Sequence, residues 1–370
     1  MNEKTLFALL RLGLGTSTDI QKENISDLFV TSEMQWKQLE ETARFQGVSG
    51  IVLDGLKKVM DELGPSCFSR NEKRAFWKEF ILQWIGTVTQ GYEVGNMQQK
   101  AVADNIQRLW AENGIRMMLM KGLAMGSYYP EPNHRCPGDI DCYLFDDYAM
   151  SNELAKQWAD NVDEGWYKHS VISYKGQTIE NHQYFVHTRE GKKSKRFNQL
   201  LCDTLKDESF DTLPGTQILM PPPMFNALFL TYHACGHFLE EGLKLKQILD
   251  WALFLQRDVD KVDWERFYEI CEQYHLKRFA EVATDIAVNQ LGVKLTNTQI
   301  VTRSPYTAKV IHSMLNDKDY VFNSGQSKLV NRLHIVKNLF KYRWKYHQIY
   351  QESVLKQLWW FAIGFFLKTE

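Results

Sequence analysis

The spacing of apolar residues changes twice along this chain, and those two changes bound what it can fold into. Up to about residue 113 the apolar positions recur at helical spacing. Ile51, Leu53, Leu56, Val59, Met60 and Leu63 form one stripe that Gly64-Pro65 stops, and Trp77, Phe80, Ile81, Trp84 and Ile85 form another. Ser32 has the chemistry of an N-cap, and Gly114 suits a left-handed C-terminal cap. Beyond Gly114 the pattern shortens. Ile115 to Met120 is a brief apolar run, Lys121-Gly122 turns into the start of a helix, and Tyr129-Pro130-Glu131-Pro132 is a loop. Asp139 to Phe145 reads as a second strand and Tyr148 to Trp158 as a helix. Ser170 to Tyr174 and Thr178 to Phe185 read as extended pieces joined by Lys175-Gly176-Gln177. After Thr212 the Pro221-Pro222-Pro223 run makes a rigid entry, and helical period returns from Met224 almost to the end. The expectation is an N-terminal helical region (1–113), an α/β core (114–212) and a C-terminal helical region (213–370), mostly helical in sum.

A chain of 370 residues exceeds one small core, so two or three packed units are expected. A formal net charge of -1 offers no global attraction to polyanions, so bulk charge does not imply nucleic acid as a partner. The basic and aromatic stretch from Arg332 to Tyr350 reads as a helix with a solvated basic face and a buried aromatic one. The six cysteines include no C-x-x-C pair, which fits a reduced interior and neither a zinc module nor a disulfide framework. Thr5 to Leu14 is apolar but interrupted by Arg11 and lacks a small-residue cleavage site, so it reads as a cytoplasmic helix. Leu358 to Leu367 is about half the length needed to cross a bilayer. It does not span, and weak association with an anionic surface is the alternative to a packed terminal helix.

The polar residues that suggest chemistry are concentrated in the middle third. Side chains alternate along a strand, so Asp139 and Asp141 project to one side and can ligate one hard cation, with Gly138 leaving the entry open. An isolated Asp-x-Asp is usually a solvated strand end, and the neighbours are what change its meaning. Lys121-Gly122 sits where a strand turns toward a helix, a place for phosphate oxygens beside backbone N–H groups and an ammonium. Arg135, in the loop leading to the acidic pair, carries a fork of donors suited to a triphosphate. Alternation sets Glu180 and His182 on one face of their strand. His233 and His237, four residues apart, share a helix face. They read as a metal pair, as hydrogen-bonded cleft histidines, or as contacts to nucleotide or acceptor, with Asp250 as a group that could orient one of them.

Taken together, Leu119-Met120-Lys121-Gly122, Tyr129-Pro130, Arg135, Gly138-Asp139-Ile140-Asp141 and Ile179-Glu180-Asn181-His182 resemble the polymerase-beta-like nucleotidyltransferase superfamily. The resemblance is closer to its uncharacterised bacterial branch. It extends to Phe225–Gly242 and to Leu245-Lys246-Gln247-Ile248-Leu249-Asp250-Trp251. It implies an α+β fold with a small mixed sheet embedded between the helical regions. It also implies transfer of a nucleoside monophosphate from an NTP to a hydroxyl acceptor, with release of pyrophosphate. Two Mg2+ ions, with Mn2+ as the substitute, would be held by Asp139, Asp141 and Glu180. Asp203 is the rival for the third carboxylate. The resemblance gives Gly122 close approach to the triphosphate and leaves the acceptor unnamed. A relative that binds a nucleotide or a partner protein in the same cleft without catalysis is the alternative.

Overall fold

The computed structural model describes residues 3–18, 32–64, 74–206, 208–295, 297, 299–317, 336–356 and 358–359. Three helices open the chain: α1 (Glu3–Leu14), α2 (Glu33–Phe45) and α3 (Ser49–Leu63). Ser32 caps α2 through a reciprocal box with Gln35, and Gly64, at φ +79°, ends α3. α1 and α3 approach each other through glycines. A Cβ at Gly55 would lie 2.1 Å from the Leu9 carbonyl oxygen, and one at Gly13 would lie 2.0 Å from that of Ile51. α4 (Arg74–Val88) runs through a π-helical turn at Thr89–Glu93 into α5 (Val94–Ala111), and Gly114 follows at φ +76°.

The middle of the chain holds β1 (Met118–Leu119), α6 (Leu123–Gly126), β2 (Ile140–Tyr143), α7 (Tyr148–Ala155), β3 (Asn161–Asp163), β4 (His169–Tyr174), β5 (Gln177–His182) and α8 (Lys192–Asp203). The five strands form one mixed sheet in the order β1-β2-β5-β4-β3, with β2 and β5 parallel and the other neighbours antiparallel. Lys175 and Gly176, both at positive φ, make the two-residue turn that closes the β4–β5 hairpin. The sheet differs from the sequence expectation in detail. β1, β2 and β5 are shorter than expected, β4 starts one residue earlier, β3 is an unanticipated edge, and α6 is a single turn with little dipole to offer.

Helices then continue as α9 (Pro223–Glu240), α10 (Leu245–Asp258), α11 (Trp264–Gln273), α12 (Lys277–Asp285) and α13 (Thr307–Asn316). Pro223 starts α9, where its missing N–H costs nothing. The aromatic residues Tyr342 and Tyr346 of the C-terminal stretch are buried, and the ammonium of Lys345 donates to the Phe238 carbonyl oxygen at 3.1 Å. The apolar run Leu358–Leu367 lies outside the described residues beyond position 359. No helix among the described residues is long and apolar enough to cross a membrane.

Two apolar clusters flank the sheet. On one face Ile140, Cys142, Ile172 and Ile179 pack with Ile106 and Trp110 of α5 and Ala155 of α7. The other cluster joins both helical flanks, from Leu9 and Ile51 to Phe238 and Phe279, and reaches the opposite sheet face through Met120 and Tyr143. Tyr143 lies two residues beyond Asp141 on the same strand, so this second face is also the one that carries the acidic residues.

Candidate active site

The register of two parallel strands assembles the acidic group. Asp141 on β2 is the Cα partner of Glu180 on β5, so both side chains leave the sheet on one side. His182, two residues past Glu180, reaches both: its Nε2 lies 3.2 Å from Asp141 Oδ1 and 3.2 Å from Glu180 Oε2. Asp139 stands just ahead of β2 and feels the negative charge of Glu180 and Asp141. Asp203 lies elsewhere, half exposed on the last turn of α8 and paired with Lys206 at 2.7 Å. Of the two rivals, only Glu180 shares the sheet face with the acidic pair.

The acidic residues open onto a cleft of about 420 Å³, within the size range of small-molecule sites. Its lining includes Lys121, Gly122, Arg135, Gly138, Asp139, Asp141, His233, His237 and Asp250, which brings together nearly every residue singled out in the sequence. Glu180 and His182 are next to Asp141 but are not among the lining. Gly122 has φ +59°, a conformation that favours glycine, and a Cβ there would sit 3.4 Å from the Asp139 carbonyl oxygen. The turn therefore lies directly against the acidic pair.

Electrostatics divide the two aspartates. Burial opposes ionisation of Asp141, but the Lys121 ammonium at 3.0 Å and the His182 ring more than offset it, holding this carboxyl well below the usual range. Asp139 shifts the other way, pushed up by burial, then by Glu180, then by Asp141. Three carboxylates thus share one face with Lys121 as their close ammonium. Hard oxygen donors whose mutual repulsion is only partly relieved are what a divalent cation of the Mg2+ type binds, so these residues fit the metal implied by the resemblance.

Several residues are committed differently from the sequence expectation. Arg135 lines the cleft, yet its Nε and Nη2 donate to the two Asp250 oxygens at 2.9 and 2.8 Å, and its Nη1 donates to the Cys136 carbonyl oxygen. Tyr129 donates its hydroxyl to the same Asp250 at 2.8 Å. The guanidinium fork is therefore spent on tying the loop before β2 to α10. Asp250 accepts from Arg135 and Tyr129; neither His233 nor His237 is among its bonded partners. The two imidazoles meet each other, Nε2 to Nε2 at 3.0 Å, and His237 Nδ1 contacts Glu241 at 3.0 Å. His233 Nε2 also lies 3.4 Å from Lys121 Nζ. Burial first, then Lys121 and His237, push His233 well below the usual histidine range, so the ring beside the Lys121 ammonium is neutral.

Residues that the sequence reading did not place in the site complete the wall. Lys244, Lys246 and Gln247, at the start of α10, line the cleft opposite the acidic strand. The first N–H groups there are occupied: Leu245 N–H donates to Gln46 Oε1 and Lys246 N–H to the Gln46 carbonyl oxygen. Attraction for an anion on this wall comes from the lysine side chains. Burial, opposed by Cys136 and reinforced by Arg135, lowers the Lys246 ammonium, while Lys246 in turn lowers Asp139. The Leu245-Lys246-Gln247 segment carried a signal by similarity, but nothing in its spacing indicated a role.

Comparison with known proteins agrees with this arrangement. No curated protein and no solved structure gives a significant match. Residues 32–292, more than half of the chain, match the family described as uncharacterised nucleotidyltransferase, and the chain belongs to that family.

Proposed function

We propose that this protein transfers a nucleoside monophosphate from an NTP to a hydroxyl on an acceptor molecule, with pyrophosphate leaving. The observation that carries the reading is the convergence of Asp139, Asp141 and Glu180 on one sheet face, beside the Gly122 turn and across a cleft from Lys244 and Lys246. Asp139 and Asp141 would hold the nucleotide-side Mg2+ or Mn2+, and Glu180 would complete the acceptor-side ion. The bound metals would supply charge neutralisation for the phosphate chain and a lower pKa for the attacking hydroxyl. The protein's own contributions are distinct. Gly122 lets phosphate oxygens approach the backbone, and Lys121 keeps Asp141 ionised and steers its oxygen. Lys244 and Lys246 offer ammonium groups to the triphosphate, and the Arg135–Asp250 pair fixes the loop that delivers Asp139. His233 and His237 line the cleft as hydrogen-bonding groups for the nucleotide or acceptor. The middle region, 114–212, carries the chemistry in this reading, and the flanking helical regions, 1–113 and 213–370, supply the walls. The cysteines resolved in the described residues are all free, in keeping with a reducing cytoplasm.

One observation favours a second reading. Lys121 and His182 both contact Asp141 Oδ1, a place where a metal would otherwise supply positive charge. A relative that binds nucleotide or partner in the cleft without catalysis would look like this. Release of pyrophosphate from radiolabelled NTPs with a panel of hydroxyl acceptors separates the two. Turnover that disappears in an Asp139→Ala, Asp141→Ala variant supports transfer. Tight nucleotide binding without turnover across the whole panel supports the silent relative.

A further inference from the structure

Nucleotidyl transfer as described uses the carboxylates and leaves a pair of imidazoles unexplained. His169 opens β4 and His182 ends β5, and the antiparallel register sets them directly opposite each other. Opposed residues project to one side of the sheet, the side that also bears Glu180. Their ligating atoms converge. His169 Nδ1 lies 3.1 Å from Glu180 Oε2, His182 Nε2 lies 3.2 Å from the same oxygen, and all three atoms fall within 4.8 Å of one another.

Hydrogen bonding leaves part of this cluster unpartnered. His182 Nδ1 lies 3.3 Å from the Tyr184 carbonyl oxygen, which can only accept. The neutral ring therefore carries its proton on Nδ1 and turns the Nε2 lone pair toward Glu180 and Asp141, which are themselves acceptors. A doubly protonated His182 would satisfy those two oxygens, but His169 would gain nothing from it. The His169 Nδ1 atom is buried and makes no hydrogen bond, although Glu180 is near enough for one. The His182 Nε2 lone pair and a buried His169 Nδ1 that makes no hydrogen bond thus meet one carboxylate oxygen. The Tyr184 carbonyl meanwhile does for His182 what outer-sphere carbonyls do for metal-bound histidines: it fixes the tautomer and aims the ring.

We propose that His169 Nδ1, His182 Nε2 and Glu180 Oε2 hold a divalent transition ion of the Zn2+ and Co2+ class. Imidazole nitrogen favours such ions over Mg2+. Separations of 3.1 and 3.2 Å are close to the edge of a tetrahedron built on bonds of about 2.0–2.1 Å, roughly 3.3–3.4 Å. Two histidines and one glutamate are also the ligand count of a zinc site that keeps room for an exogenous ligand. Because Glu180 is shared with the acidic group, the ion's place in the reaction rests on the nucleotidyl-transfer reading; its binding does not.

The test is a titration of chelator-treated full-length protein with Co2+ alone, in the absence of nucleotide. One equivalent should bind with the intense visible absorption of low-coordinate Co2+, be displaced by Zn2+ and resist a large excess of Mg2+. His169→Gln and Glu180→Gln should each weaken binding by more than about 100-fold, beyond what loss of an outer-sphere partner costs. Asp139→Asn should leave the Co2+ spectrum in place. Absence of the spectrum, displacement by equimolar Mg2+, or unchanged affinity in folded His169→Gln would overturn the proposal. Should a variant fail to fold, anomalous scattering at the zinc edge from a Zn2+-soaked wild-type crystal decides the matter. A peak at bonding distance from the three atoms supports the site, and its absence overturns it. Failure of Mg2+-dependent nucleotide binding would remove the transfer reading while leaving the outcome of this titration intact.

Discussion

The two faces of the five-stranded sheet are built from the same strands and do opposite work. Ile140, Cys142, Ile172 and Ile179 point toward α5 and α7 and are sealed from water. One residue away along the same backbones, Asp141, Glu180, His169 and His182 leave the sheet on the other side, where burial and then the Glu180 and Asp141 carboxylates oppose ionisation of Asp139. A period of two residues is all that separates a stabilising face from a face held in electrostatic tension. The apolar face supplies the rigidity that lets the other hold two carboxylates 3.2 Å from one imidazole.

Substitutions that break this contrast should fall in a definite order. Replacing both Asp139 and Asp141 by Asn should lower nucleotidyl transfer by at least about 1000-fold, the scale of losing preorganised charge stabilisation. Asp139→Asn alone should keep or raise the melting temperature, since it removes like-charge repulsion from Glu180 and Asp141. A calorimetric scan beside the activity assay reads both. Arg135→Ala should destabilise the fold by about 3–5 kcal/mol in denaturant unfolding, because it strands the buried Asp250 carboxylate. Ile179→Ala on the sealed face should cost about 2–5 kcal/mol, whereas Glu180→Gln next to it should cost far less stability while impairing transfer. An equal loss of stability at the two positions would mean that the faces are not specialised.

The smallest effect concerns the scaffold behind the site. His134, one residue before Arg135, contacts Asp54 at 2.9 Å and Glu93 at 3.0 Å. Burial lowers its pKa, but these carboxylates, Asp54 foremost, more than reverse that and raise it to about 9. A raised folded-state value means that the contribution is fully present below the ordinary histidine range near 6.5 and is lost as pH climbs through 9. Allowing for solvent screening of a half-buried ring, the loss should be on the order of 1 kcal/mol. His134→Gln should abolish that slope in a pH series of denaturant midpoints.

What the sequence made legible follows the same division between local and distant. The acidic pair, the Glu180 and His182 alternation and the turn at Lys175-Gly176-Gln177 depend on neighbours along the chain, and the structure keeps the alternation and the turn, with Gln177 already in β5. The commitment of Arg135 to Asp250, across 115 positions, was illegible because no pattern within a strand or loop encodes its partner. His169 escaped notice for a related reason. Its meaning arises only once hairpin register sets it opposite His182. Lys244 and Lys246 join the site because Gln46, from the far end of the chain, anchors the start of α10. Resemblance favours Glu180 over Asp203, and the parallel pairing of β2 with β5 is what sets Glu180 beside Asp141 while Asp203 lies on α8.

The most direct test of the central claim is calorimetric titration of a non-hydrolysable NTP into the wild-type protein and the Asp139→Asn, Asp141→Asn variant, each with and without Mg2+. If the acidic face carries a metal-bound triphosphate, wild-type affinity depends on Mg2+ and drops by more than about tenfold in the variant, a loss above 1.4 kcal/mol. Affinity that is the same in both proteins and indifferent to Mg2+ would contradict the account.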